Sequence, residues 1–199
     1  MTELNFKKTK PKQIEEILIH VCLRIAKRGE GALFVVGDVE HSLLVDQNVP
    51  PFFITENPKL LESLALMDGA VIIDKHGIMK SYGAMIKSKT TFKNFGTRHS
   101  AGLTASMVKG NLVFVVSEED KKVRILKNEK MIMQIDALQR DVEKSVPYAV
   151  DLLESVGAGA LGTIGTGLLL PALGITLIPG IIVFGSAYYL GKLLTKKFS

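Results

Sequence analysis

Residues 68–119 read DGAVIIDKHGIMKSYGAMIKSKTTFKNFGTRHSAGLTASMVKGNLVFVVSEE, and this stretch sets three short polar clusters between apolar runs. The clusters are Asp68-Gly69-Ala70, Gly96-Thr97-Arg98-His99 and Ser117-Glu118-Glu119. Each cluster lies where a strand or a helix is expected to begin or end, which is the usual position of functional residues on an α/β scaffold. The stretch therefore predicts an α/β fold whose site is built from the ends of its helices and strands.

The sequence on both sides continues the same alternation of helices and strands. Apolar residues at helical spacing, and short apolar runs bounded by Gly, Pro or Asn, mark these elements. They predict helices at 11–28, 58–67, 97–108 and 136–154, and strands at 31–36, 70–73, 78–86, 112–116, 121–126 and 130–135. Alternation over residues 12–135 argues for one α/β domain.

The composition excludes two classes of protein. The chain has 199 residues, a formal net charge of +5 and a single cysteine, Cys22. One cysteine cannot form a disulfide framework, and its presence fits a reducing compartment. The lysines are scattered rather than gathered into a basic stripe, so no nucleic-acid partner is expected.

The three polar clusters carry the groups that a nucleotide and a metal ion require. A helix start offers unpaired N–H groups and the positive end of the helix dipole, so the start at Thr97 is suited to phosphate, and Arg98 adds a forked cation. Asp68, Glu118 and Glu119 supply hard oxygen ligands for Mg²⁺ or Mn²⁺. Each cluster alone also has a plain structural interpretation: a turn, a capped helix with an exposed arginine, and a solvated strand end.

Together, in this order and spacing, the three clusters resemble the diadenylate cyclase domain. That family includes the DNA-integrity-scanning protein and the membrane-bound bacterial cyclases. The resemblance covers about residues 14–135, and the strand at 31–36 and the strand entering Ser117 agree with it. It implies a mixed central β-sheet flanked by helices. It also implies that two ATP molecules condense into cyclic di-AMP, with release of two pyrophosphates, between two domains that meet face to face in a homo-oligomer.

The resemblance also implies a role for each motif residue. Asp68 would bind metal and help to deprotonate the facing 3′-hydroxyl, and Glu119, with Glu118, would be a second acidic contact. His99 would lie by the metal or the triphosphate. The expected metal ligands are thus Asp68, His99 and Glu119, with Mn²⁺ or Mg²⁺ as cofactor. The residues expected to contact the nucleotide are Gly69, Ala70, Met85, Ile86, Gly96, Thr97, Arg98, His99 and Ser117.

One residue departs from the family pattern. The family usually continues Arg-His-Arg-Ala-Ala, whereas this chain has Arg98-His99-Ser100-Ala101-Gly102. A lost guanidinium beside a triphosphate removes a contact worth roughly 1.5–3 kcal/mol. Nearby lysines, Lys87, Lys89 or Lys93, could replace it in part, but as point charges rather than a fork.

The C-terminal part of the chain predicts a membrane segment. No charged residue occurs from Ser155 to Gly191, a run longer than a bilayer crossing requires. If the catalytic domain and the terminal lysines are both cytoplasmic, the segment must enter the membrane and return, which favours a short hairpin broken near Pro171 or Pro179 over a single crossing. The alternative is a hairpin buried in a soluble oligomer. The predicted organisation is a polar tail at 1–12, a nucleotide-binding domain at 13–136, a connecting helix at 137–154, the hydrophobic segment at 155–191 and a basic tail at 192–199.

Three functions therefore stand at this point. The first is a membrane-attached diadenylate cyclase with ATP as substrate. The second is a nucleotide-sensing module of the same fold with weak or no turnover, or a cyclase that makes another dinucleotide. The third is a membrane scaffold in which the α/β domain serves only as an assembly surface. Product mass and nucleotide binding distinguish them.

Overall fold

The computed structural model describes residues 9–88, 96–157, 169–170, 175–178 and 180–184. The helices are α1 (Pro11–Arg28), α2 (Pro58–Ala65), α3 (Thr97–Ser106) and α4 (Val146–Gly157), with a 3₁₀ turn at Val142–Ser145 before α4. The strands are β1 (Ala32–Val36), β2 (Ser42–Leu43), β3 (Phe52–Phe53), β4 (Ala70–Ile73), β5 (Ile78–Met85), β6 (Leu112–Val116), β7 (Lys122–Lys127), β8 (Lys130–Asp136), β9 (Leu169–Leu170), β10 (Ile175–Ile178) and β11 (Ile181–Phe184).

These strands form one mixed sheet, as the resemblance to the diadenylate cyclase domain implies. Its order is β2-β5-β4-β1-β6-β7-β8-β11-β10-β9, and β3 pairs with β5 beside this path. The β1–β4 pair is parallel, and the other described pairs are antiparallel. The crossover from β1 to β4 includes α2, as a parallel pair requires a long connection.

Helices cover both faces of the sheet. One face of the sheet packs against α1, α2 and α4 through Phe34, Phe114 and Ile125. On the other face, Leu33 and Val115 pack with Ala105 of α3. Alternation along each strand sends neighbouring side chains into opposite layers, and apolar residues are needed on both sides. This explains why 31–36 and 112–116 read as continuous apolar runs.

Local signals fix the helix ends more closely in some places than in others. Gly29 ends α1 in the left-handed conformation, with φ 80°, as expected for a glycine after a helix. Gly96 occupies the N-cap of α3, which begins at Thr97. The single helix predicted from 136 is wrong at its start, because Asp141 has φ 60° and α4 begins only at Val146, with Pro147 in its first turn.

The hydrophobic segment, predicted to lie in a membrane, contributes strands to the sheet where the structure describes it. β10 and β11 form a hairpin, and β11 pairs with β8, so that the sheet extends into the tail. Ile181 and Val183 are buried against the α1 side of the core. Among the described residues, no helix combines the length and apolarity needed to cross a bilayer. The remainder of 155–191, and the basic tail at 192–199, lie outside the described residues.

Candidate active site

The strand register brings the first and third polar clusters to one edge of the sheet. Phe34 in β1 is opposite Val71 in β4 and Phe114 in β6. Because β4 runs parallel to β1 and β6 runs antiparallel, the start of β4 and the end of β6 lie at the same edge. Asp68, just before β4, and Ser117, just after β6, are therefore about two strand spacings apart, roughly 10 Å.

A cleft opens between the first turn of α3 and the end of β6. Its cavity volume is about 200 Å³. The residues that line it are Gly96, Thr97, Arg98, His99, Val116, Ser117, Glu118, Glu119, Asp120 and Arg124. The second and third clusters thus line one cleft, together with two residues from outside the three motifs, Asp120 and Arg124.

Arg98 and Glu118 face each other across the mouth of this cleft. Arg98 Nη1 lies 3.2 Å from Glu118 Oε2, and both side chains are partly solvated. A Cβ at Gly31 would lie 2.6 Å from Arg98 Nη1 and 3.3 Å from Glu118 Oε2. Gly31 at the start of β1 therefore leaves the space in which the guanidinium and the carboxylate meet. An exposed pair of this kind holds little free energy, so an incoming anion can compete for the arginine.

Arg124 enters the same cleft from β7 and is almost fully buried, with 6% of its surface exposed. Its Nη1 donates to His99 Nε2 at 3.2 Å and to Asp120 Oδ1 at 3.2 Å, and its Nη2 donates to Asp120 Oδ2. Burial opposes ionisation of Asp120, but hydrogen bonds from Arg124 and Ser117 outweigh it and lower the pKa of that carboxyl. The pair is therefore an ionised, two-pronged bridge.

His99 is held neutral by these surroundings. Burial, and then the positive charge of Arg124, lower its pKa to about 4. Because Nε2 accepts a hydrogen bond from Arg124, the ring proton lies on Nδ1. At neutral pH, His99 thus positions Arg124 through Nε2 and adds no charge to the cleft.

The Asp68-Gly69-Ala70 cluster lies at the same sheet edge but does not line the cleft. The Asp68 carboxylate is exposed and accepts the Gly69 N–H at 3.0 Å. Gly69 has φ +98°, and a Cβ there would lie 2.6 Å from the Gly83 carbonyl carbon in β5, so only glycine fits. Ala70 is 1% exposed and packs in the core, which leaves Asp68 as the accessible side chain of this motif.

Met85 and Ile86, the residues expected to pack on a base, line a second cavity of about 1300 Å³. This cavity lies at the far end of α3, beside Thr104 and Met107, whereas the 200 Å³ cleft lies at its first turn. Met85 is half exposed and Ile86 is buried. Lys87 lines the second cavity, and Lys89 and Lys93 lie outside the described residues.

The expected metal ligands do not form a preformed cage. Among the residues that the structure describes, no group of three or more His, Cys, Asp or Glu side chains is arranged to hold a metal ion. In this geometry, His99 Nε2 is occupied by Arg124, and Asp68 lies off the cleft. Glu118 and Glu119 remain in the cleft as oxygen donors. This donor set fits a cation that arrives with phosphate oxygens and takes one or two carboxylates from the protein.

The charge of the cleft leads to the same conclusion. Its lining contains two guanidiniums and three carboxylates, while His99 is neutral, so it has one net negative charge. A polyphosphate entering alone would therefore meet a slightly repulsive site. A divalent cation would offset this excess negative charge.

The chain is similar to known nucleotide-binding and diadenylate cyclase proteins. The family model described as the DisA bacterial checkpoint controller nucleotide-binding domain (DAC) matches residues 20–131, which is more than half of the chain. A diadenylate cyclase from Haloferax volcanii is 28% identical over 142 residues, covering 60% of this chain and 51% of the relative. The chain thus spans about half the length of that curated relative.

Two solved structures are also similar. A double cysteine mutant of DacA from Staphylococcus aureus is 21% identical, with a TM-score of 0.50 over 71% of this chain and 93% of that one, and shares the fold. A hypothetical membrane spanning protein from Bacillus cereus is 26% identical over 58% of this chain and 60% of that one, with a TM-score of 0.46. The match to the family model confirms the resemblance seen in the three motifs, and the chain belongs to the DAC family of nucleotide-binding domains.

Proposed function

We propose that this chain is a diadenylate cyclase, a nucleotidyltransferase that condenses two ATP molecules into cyclic di-AMP and releases two pyrophosphates. The observation that carries the proposal is the meeting of the α3 start with Ser117, Glu118 and Glu119 in one cleft, at the sheet edge where Asp68 is exposed. Membership of the DAC family and the named activity of the Haloferax volcanii relative support it.

The chemistry consists of two identical displacements. In each, the 3′-oxygen of one ATP forms a bond to the α-phosphorus of the other, the bond to pyrophosphate breaks, and the 3′-hydroxyl proton passes to a base. The α3 start and Arg98 would hold the phosphates through N–H groups and a guanidinium. Most of the rate enhancement in such a transfer comes from positioning and charge neutralisation.

Asp68 is proposed to act on the nucleotide held by a second copy. Its carboxylate is exposed and lies off the 200 Å³ cleft of its own chain, which supports a role in a facing site. Glu119 and Asp68 carry the carboxylates that would hold Mn²⁺ or Mg²⁺, and the cation would neutralise phosphate charge. A homodimer that meets face to face would complete both sites.

Incubation of the full chain with ATP and Mn²⁺ or Mg²⁺, followed by mass spectrometry, tests the proposal. Cyclic di-AMP is the expected product, and activity per molecule should rise with protein concentration if two copies must meet. Absence of product with either metal across a range of pH would contradict the cyclase activity. An Arg98→Ala variant should lose product, whereas Arg140→Ala, which removes an exposed arginine (94% of its side chain) outside the cleft, should not.

A nucleotide-sensing module of the same fold is the second candidate. The observation that favours it is Ser100, which stands where the family usually has an arginine. Tight ATP binding without turnover would select this reading, and a product of different mass would select another dinucleotide cyclase. Membrane attachment through 155–191 remains a prediction, which flotation of the full chain with liposomes would test.

A further inference from the structure

The second guanidinium in the cleft comes from a strand rather than from α3. Residue 100 is a buried serine, 6% exposed, so α3 contributes one arginine to the cleft, Arg98. Arg124 lines the same cleft from β7 and reaches His99, the residue between Arg98 and Ser100. The cleft therefore retains two guanidiniums although the motif on α3 supplies only one.

The fold explains how Arg124 reaches this position. β7 pairs with β6, and Arg124 is opposite Val115, close to the end where Ser117 begins the acidic cluster. Leu126, two residues along the strand, packs with Ala105 in the layer under α3. Because side chains two residues apart share a face, Arg124 also points towards α3.

Asp120 and His99 hold the Arg124 guanidinium in place. Asp120 contacts it with both carboxylate oxygens, and His99 accepts from Nη1 at 3.2 Å. The Asp120 side chain is 36% exposed, so this carboxylate can turn to solvent when a stronger anion enters, while burial and the His99 contact still hold the arginine. A cation held in this way loses little conformational freedom on binding phosphate.

We propose that Arg124 replaces the missing family arginine and is the second phosphate-binding guanidinium of this chain. This inference rests on the proposed function, since it assigns a contact to the nucleotide of the same site. Lys87 is not the substitute, because it lines the second cavity rather than the cleft. A forked donor is suited to phosphate in a way that a lysine is not.

The test measures ATP and adenosine affinities of the full chain by calorimetry with Mg²⁺ present. Arg124→Met keeps an apolar stem of similar length and removes the charge. It should weaken ATP binding by about tenfold to a hundredfold and leave adenosine binding within about twofold, since a charge-assisted contact is lost only where phosphate is present. Arg124→Lys should lose less ATP affinity than Arg124→Met.

Lys127→Met is the matched control, because it removes one positive charge from the same strand at the end away from the cleft. It should change neither affinity. An Arg124 that merely stabilises the fold would affect both ligands alike, so an unchanged ratio of ATP to adenosine affinity would overturn the inference. If Arg124→Met does not fold, as judged by circular dichroism, the ratio of ATP to adenosine affinity is compared between Arg124→Lys and wild type instead.

The design separates this inference from the cyclase proposal. Wild-type protein that binds ATP in an Arg124-dependent manner but makes no cyclic di-AMP would contradict the cyclase activity and support the role of Arg124. If wild-type protein makes cyclic di-AMP while Arg124→Met retains its preference for ATP over adenosine, the cyclase activity is supported and the role of Arg124 is contradicted. Failure of wild-type protein to bind ATP would overturn both.

Discussion

Replacement of Asp68 by alanine should abolish product formation while leaving the fold almost unchanged. The Asp68 carboxylate is exposed, and its hydrogen bond to the Gly69 N–H is local. One such bond contributes about 1 kcal/mol or less, which corresponds to a Tm change of roughly 2–4 °C or less for a domain of this size. Turnover should fall at least about a hundredfold if Asp68 assists deprotonation.

Asp74 provides a matched control on the same strand pair. Its Oδ1 accepts the N–H groups of His76 at 2.8 Å and Ile78 at 3.0 Å in the turn between β4 and β5. Two bonds to a charged acceptor make Asp74→Ala costly, about 2–4 kcal/mol, or a Tm loss of roughly 5–15 °C. Because the turn lies at the end of β4 opposite Asp68, turnover per folded molecule should stay near that of wild type.

The assay combines thermal melting with mass spectrometry of the product at a temperature where all variants are folded. Asp68→Ala should lose activity and keep its Tm, whereas Asp74→Ala should have a lower Tm and keep its activity per folded molecule. A folded Asp68→Ala protein that retains more than about a tenth of wild-type turnover would refute the role assigned to this carboxylate, and with it the argument from exposure at the sheet edge.

Four further predictions follow from the geometry. Removal of divalent cations with EDTA should abolish ATP binding measured by calorimetry, because the cleft has a net negative charge; binding that survives would contradict this reasoning. Gly69→Ala should lower the free energy of unfolding in urea by about 2 kcal/mol or more, because φ is +98° and the new Cβ meets the backbone of β5; an unchanged midpoint would be inconsistent with this turn. The free energy of unfolding should fall as pH drops from 6.5 towards 4, because His99 takes up a proton in this range in the unfolded chain, whereas the folded ring has its pKa lowered to about 4 and does not. His99→Gln should reduce this dependence of stability on pH, as measured by thermal melts at several pH values. Glu15→Gln should raise the Tm at pH 8 by roughly 2–4 °C. Burial and Glu154 raise the pKa of the Glu15 carboxyl to about 7, so that its contribution to stability is lost as pH rises through 7. An unchanged Tm at pH 8 would contradict this prediction.

Local chemistry in the sequence was sufficient for most of the elements and for the family. A glycine after an apolar periodic run ends a helix in any context, and Gly29 does so here. Turn residues between apolar runs fixed the hairpin of β4 and β5, where Asp74 and Gly77 form the turn. These signals act within a few residues, and they are therefore readable without knowledge of the fold.

Arg124 could not be assigned from the motifs, although one signal pointed to it. It interrupts an apolar strand between Val123 and Ile125, and a charge in a buried run is uncommon without a partner. Arg124 donates a hydrogen bond to His99, which lies on α3, and the two side chains come together only when α3 packs on the sheet. The pairing of β7 with β6 supplies the register that sets this contact.

The tail shows the same division between sequence and tertiary structure. An uncharged run predicts burial, but it does not say whether lipid or a sheet edge provides it. Without the tail, β8 would be an edge strand with unpaired backbone groups, and β11 satisfies them by pairing along Met133, Gln134 and Ile135. The sequence by itself determined which residues are apolar, where turns fall and which three motifs are present. Only the tertiary structure decided which strand edge the tail meets and which distant side chains share the cleft, because strand register and layer packing depend on contacts between residues far apart in the chain.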